Sequence, residues 1–259
     1  MIRTIALIVL LIFINATQSF SLSRNFNGYR FSASIKNKNG TYEEYTQNSK
    51  CIIYVNENDE YSISVNNPLP VRVAVAVTVD GLNTIDGKFT SAAAARKWII
   101  EPYGTLTLRG WQTSNEMLRR FVFTNKTRSY AQWKESKDKT SYTANLGVIG
   151  VAYFWNQQEL EEVLNPPKRY FEGQKSNNSL FPYKRSSPAP ESKASKEESR
   201  AGTGMGTREI NHVTSVNFTY NTGMYSNRDI LIIRYEFAKP EPKPFKDISD
   251  SYFVPDMYE

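Results

Sequence analysis

Residues 71–111 read VRVAVAVTVDGLNTIDGKFTSAAAARKWIIEPYGTLTLRGW, and this stretch decides the fold class. Val71, Val73, Val75, Val77 and Val79 recur at alternate positions, with Arg72, Ala74, Ala76 and Thr78 between them. Successive side chains of a strand point to opposite faces, so this one has a face of large residues and a face of small ones. Asp80-Gly81 is a turn pair that stops it. Residues 97–100 form a second strand that runs to Pro102 and a Tyr103-Gly104 turn. Residues 105–109 form a third, alternating Leu106 and Leu108 with polar partners. The reading is an antiparallel β unit at the centre of the protein.

The same alternation recurs along the chain. Residues 29–35, 50–55, 61–65, 120–124, 213–220 and 230–237 all carry it, and residues 148–155 are apolar on both faces, as in a central strand. About ten or eleven short strands with turn signals between them predict an all-β antiparallel β-sandwich, immunoglobulin-like or related, or an open barrel. One helix is expected at residues 156–164, NQQELEEVL. Asn156 caps it, Glu159 completes a capping box, Leu160, Val163 and Leu164 form its apolar face, and Pro166 and Pro167 end it. Residues 115–119 could form a single helical turn. Residues 173–205 contain a Ser-, Pro- and charge-rich insertion, SSPAPESKASKEESR, whose composition cannot bury enough apolar surface to order itself. The expected layout is a signal segment at 1–21, a sandwich core at 26–172, the insertion at 173–205, the last strands at 206–238 and a Pro-rich extended tail at 239–259.

The first residues have the design of a secretory signal: one charge, Arg3, then ten apolar residues from Ile5 to Ile14, then small and polar residues. The apolar run is shorter than the roughly 20 residues of a bilayer span, which fits a cleavable segment, with an uncleaved anchor as the alternative. The expectation is an exported protein, periplasmic, cell-surface or secreted, with no integral span after cleavage. Removing Arg3 takes the net charge from +6 to +5. That balance can favour anionic surfaces, but no basic cluster with interleaved aromatics points to nucleic acid. A single cysteine, Cys51, excludes an internal disulfide and leaves the fold to its core.

Four stretches carry a resemblance: VTVDGLNTIDG at 77–87, Gly110-Trp111, LGVIGV at 146–151 and GTGMG at 202–206. Together they resemble a group of uncharacterised exported bacterial proteins. The group has no assigned activity, so the resemblance implies an exported bacterial β protein and carries over no site residues.

Candidate sites are few. Asp80, Asn83 and Asp86 place side-chain oxygens in one loop, the donor type calcium takes, although the spacing is not that of an EF-hand. The competing reading has them capping turns, with Gly81 and Gly87 at positive φ. No cofactor is expected, with calcium here as the one candidate. Gly202 to Gly206 lacks the Lys-Ser or Lys-Thr and the strand-to-helix setting of a phosphate loop, and reads as a flexible re-entry from the insertion, its backbone close to another strand. His212 is the only histidine, lies in a polar stretch, and has no nucleophile elbow to serve. Trp111, Arg109 and Tyr103 are the binding candidates, because Trp and Tyr stack on sugars and anchor partners; for Trp111 the favoured reading is an aromatic closing one end of the core, since large aromatics mainly supply burial. The function expected is a non-enzymatic exported sandwich that binds an envelope or extracellular protein or glycan. The alternative is a carboxylate-dependent hydrolase of a cell-wall glycan; Glu101, Asp80 and Asp86 are the acids nearest the central unit, and no catalytic pair is assigned among them.

Overall fold

The computed structural model describes residues 22–26, 28–166, 200–220 and 230–238. The expected signal segment, most of the insertion and the Pro-rich tail lie outside the described residues. The strands are β1 (Leu22–Phe26), β2 (Tyr29–Asn37), β3 (Gly40–Thr41), β4 (Tyr45–Gln47), β5 (Lys50–Val55), β6 (Glu60–Asn66), β7 (Val73–Val79), β8 (Leu82–Asn83), β9 (Trp98–Ile100), β10 (Thr105–Leu108), β11 (Gly110–Gln112) and β12 (Met117–Asn125). After helix α1 (Tyr130–Asp138) come β13 (Val148–Phe154), helix α2 (Gln157–Leu164), β14 (Ala201–Ile210) and β15 (Leu231–Phe237). They form two sheets. One runs β1-β2-β6-β12-β11, with β3, β10 and β14 attached; the other runs β4-β5-β15-β13-β7-β8, with β9 on β7. The fold is an all-β sandwich. All pairings are antiparallel except β5 with β15, a parallel pairing that the sequence reading did not contain.

The valine face builds the core. Val73, Val75, Val77 and Val79 are fully buried and pack against Ile149, Val151, Ile63 and Val65, among others. Burying one such side chain contributes about 1.5–3 kcal/mol. The small face is buried as well. Ala74 and Ala76, with Ala95, Ala152 and Phe154, form a second, smaller cluster on the outside of the sheet.

The central unit is divided between the sheets. β9 pairs with β7, but β10 crosses over and pairs with β6. Asn67, buried just after β6, holds the crossing. Its amide Nδ2 donates to the carbonyls of Val71 and Glu101, and its Oδ1 accepts from Leu69 N–H. Tyr103, at φ 56°, turns the chain into the second sheet.

Three other expectations are corrected. Residues 201–210, assigned in part to the insertion, are a strand that pairs with β12 over most of its length; the glycines let it lie close, since a Cβ on Gly202 would meet Leu146 and Ser129 at 2.9 Å. Residues 213–220 alternate like a strand but belong to neither sheet. Residues 115–119 form no helical turn, because Met117 begins β12. Helix α1 was not foreseen; it starts at Ser129, whose Oγ accepts from Gln132 N–H. Helix α2 is capped by Asn156, whose Oδ1 accepts from Gln158 and Glu159 N–H.

Val75→Asp is expected to abolish the cooperative thermal transition, since it places an unpaired charge in a fully buried position. Arg72→Ser, on the opposite face, loses a cation–π contact worth about 0.5–1 kcal/mol and is expected to shift the melting temperature only slightly. Circular dichroism melts of the two variants check the facing.

Candidate functional site

Asp80 ends β7 at φ 52° and turns its side chain inward. It is 1% exposed. Its Oδ1 accepts from the Tyr235 hydroxyl (2.5 Å) and from Gly147 N–H (2.9 Å), and its Oδ2 accepts from Thr203 N–H (2.7 Å). Tyr235 Oη and Tyr61 Oη each lie 2.7 Å from Thr203 Oγ1. The proton directions follow. With Asp80 ionised, its carboxylate only accepts, so in that form Tyr235 donates to Asp80, Thr203 donates to Tyr235, and Tyr61 donates to Thr203. This relay runs from β6 through β14 and β15 to the end of β7, so it ties the two sheets together. Trp111 closes the same region: its Nε1 donates to the Gly204 carbonyl at 3.1 Å, and its ring packs on Phe121 and Tyr130.

The loop after Asp80 is held by its own backbone. Asn83 Oδ1 accepts from Ile85 N–H and its Nδ2 donates to the Arg96 carbonyl. Asp86 Oδ1 accepts from Lys88 N–H, and Gly81 and Gly87 take φ +79° and +64°. Asn83 and Asp86 therefore cap turns, while Asp80 points into the core, so the side-chain oxygens of the calcium candidates accept from donors of the chain itself. Among the described residues no group of three or more His, Cys, Asp or Glu side chains gathers in a metal-ligating arrangement.

The main groove, about 960 Å³ in volume, lies on the outer side of β7 and β9. Its floor includes Ala74, Trp98 and Ile99; the 84–87 turn, the 112–115 hairpin and residues 213–218 wall it. Arg72, Arg96 and Lys97 supply positive charge, and Asp86 and Glu101 supply negative charge. Of the three binding candidates, only Trp111 reaches the groove. It is 2% exposed and packs on Phe121 and Tyr130, as an aromatic that closes the core does. Arg109 is paired with Glu209 at 2.9 Å. Tyr103 stands 68% exposed on the crossover turn, outside the groove. His212 is exposed. Burial, reinforced by the neighbouring Glu44 carboxylate, pushes the Cys51 thiol up to about 12, so the cysteine is not an activated nucleophile.

Sequence reading passed over Arg72, Arg96, Lys97, Trp98, Phe218 and Tyr220. Their signal was present as the Arg-Lys-Trp run and as the alternation of Phe218 with Tyr220. Nothing local, however, shows that loop 88–97 and residues 213–220 fold onto the same face.

No family model matches the chain, and no curated protein or solved structure matches it significantly. Within the molecule, the four stretches that carry the resemblance meet at one place. Asp80 of the first accepts from Gly147 of the third and Thr203 of the fourth, and Trp111 of the second donates to Gly204 of the fourth.

Burial pushes the Asp80 carboxyl from its ordinary 3.8 up to about 7, against the hydrogen bonds that lower it. Between those values the folded protein keeps a proton that the unfolded chain has released. This contribution to stability is therefore complete below the unfolded value and is lost as pH rises through the folded one. The melting temperature is expected to fall from about pH 4 to about pH 7, and Asp80→Asn, neutral throughout, to flatten that slope. Millimolar calcium is expected to leave the melting temperature unchanged, and Asp86→Ala to cost about 1 kcal/mol through the lost turn cap; denaturant melts with and without calcium check both.

Proposed function

We propose that the protein is a non-enzymatic exported β-sandwich whose groove holds an envelope or extracellular partner, either a protein or a glycan. The observation that supports this is the composition of the groove: Trp98, Phe218 and Tyr220 stand beside the cationic side chains of Arg72, Arg96 and Lys97 and the amides of Gln112 and Asn115, around a volume of about 960 Å³. Aromatic residues and arginine with polar neighbours are the side chains that dominate recognition surfaces. Export is supported by the secretory design of residues 1–21. The rival reading, a carboxylate-dependent hydrolase of a cell-wall glycan, has one observation in its favour, since Asp86 and Glu101 both line this groove. Asp80 is not available to it, because its carboxylate is enclosed in the core.

The test is capture of a partner from envelope extract by the immobilised mature protein, followed by identification. Arg96→Glu and Asn115→Trp, both at exposed groove positions, are expected to reduce capture at least about tenfold, equivalent to about 1.4 kcal/mol, while the melting temperature stays near that of the unsubstituted protein. Release of soluble sugar from cell-wall material, abolished by Asp86→Asn or Glu101→Gln, would replace this reading with the hydrolase.

A further inference from the structure

Residues 213–220, VTSVNFTY, have the alternation of a strand and no strand partner. Among the described residues the segment's backbone is fixed at its start, where Val213 N–H donates to the Asn115 carbonyl, and no sheet pairing continues beyond it. What seats it is a pair of rings. Phe218 lies under the Arg72 guanidinium, 5.5 Å from its centroid. Tyr220 lies 4.9 Å from Lys97 Nζ and 5.4 Å from the Phe154 ring. Asn217 and Thr219, which alternate with them, are exposed, and Val216 is 57% exposed.

The surface beneath those rings is built without them. Lys97 Nζ donates to the carbonyls of Ala93 and Ala95, at 2.8 Å each, and sits 4.6 Å from the centroid of Phe154. The ammonium is thereby fixed in place by its own loop and sheet, with its remaining side turned to Tyr220. Ala74, Ala76, Ala95 and Ala152 provide a floor of small side chains, which leaves depth for a ring. The second ring site has its own cation in Arg72. The spacing of the two occupants, two residues apart, matches the distance between same-face side chains of an extended chain. The channel is one part of the main groove, whose lining includes Arg72, Ala74, Ala95 and Lys97 together with Phe218 and Tyr220.

We infer that the outer face of β7 and β13 is a docking channel for an extended polypeptide segment with aromatic side chains at alternate positions, and that residues 213–220 occupy it as an exchangeable internal ligand. The inference rests on the reading of the groove as a binding surface and takes the protein partner rather than the glycan. A partner segment competes with a tethered one. The tether gives residues 213–220 a high effective concentration, so the channel discriminates against weak ligands and opens to segments that fill the rest of the groove as well.

A fluorescent peptide of sequence VTSVNFTY is the probe, read by anisotropy. It is expected to bind the Phe218→Ala/Tyr220→Ala protein at least about tenfold more tightly than the unsubstituted protein, in which the internal segment competes. Replacing both aromatic residues of the peptide by alanine, or adding Lys97→Met to the double variant, is expected to remove the binding. No binding to a double variant that melts cooperatively, or equal binding to both proteins, overturns the inference. If the double variant does not fold, Tyr220→Ala alone empties the site over Lys97 and gives the same comparison. Failure of the peptide while envelope capture still depends on Arg96 and Asn115 removes this inference and leaves the proposed function standing, as does identification of the captured partner as a glycan.

Discussion

Everything else in the structure is arranged around one enclosed carboxylate. Asp80 receives three donors from three separate segments, and a hydroxyl relay carries the connection on to Tyr61 in the opposite sheet. A polar group buried without partners destabilises a fold by about 1–3 kcal/mol, more if charged. Once Asp80 is inside, then, β14, β15 and the turn before β13 must each stand where their donors reach it. Hydrogen bonds in such a chain polarise one another in a low-dielectric interior. The relay thus fixes how the sheets lie relative to each other in a way that interchangeable apolar contacts cannot. The left-handed backbone of Asp80 belongs to the same arrangement, because that turn carries the side chain back under β7 instead of outward.

The outer side of the same strand has the opposite chemistry. Where the core face of β7 presents branched side chains, the outer face presents alanines, and the space they leave is taken by Phe154, Phe218 and Tyr220 around a fixed ammonium. One strand therefore organises both the buried centre and the outer alanine face. The centre depends on a network with every donor directed. The surface depends on two rings placed by side-chain contacts, on a segment whose backbone is held at its start by the Val213 N–H bond to the Asn115 carbonyl. Local stability is set by such differences, and exchangeable segments come from its low end.

Much of the body was legible in the residues. Alternation located β2, β5, β6, β7, β12, β13 and β15, and the Asn156 cap with its following apolar face located α2. The site was less legible. Turn capping by Asn83 and Asp86 followed from their residue types and the glycines beside them, but Asp80, of the same type and in the same loop, has a different role, because its side chain meets donors that are 67 to 155 residues away in sequence. For Trp111 the favoured core-closing role followed from its size, but its partner did not, because the Gly204 carbonyl that accepts from its indole is 93 residues distant. The glycines at 202–206 argued for flexibility by composition, yet they allow the close packing that makes the segment a strand.

The sequence by itself determined that this chain forms short strands with one apolar face each and must bury them against one another, because side-chain alternation is a local property and apolar faces have no stable alternative in water. Only the tertiary structure decided which strands share a sheet, which way Asp80 turns, and that residues 213–220 lie on an alanine face instead of joining a ladder. Those outcomes depend on pairing between segments far apart in the chain, where many partners satisfy the same local pattern. The choice among them is made by the few groups, such as a buried carboxylate or a caged ammonium, that only one arrangement can satisfy.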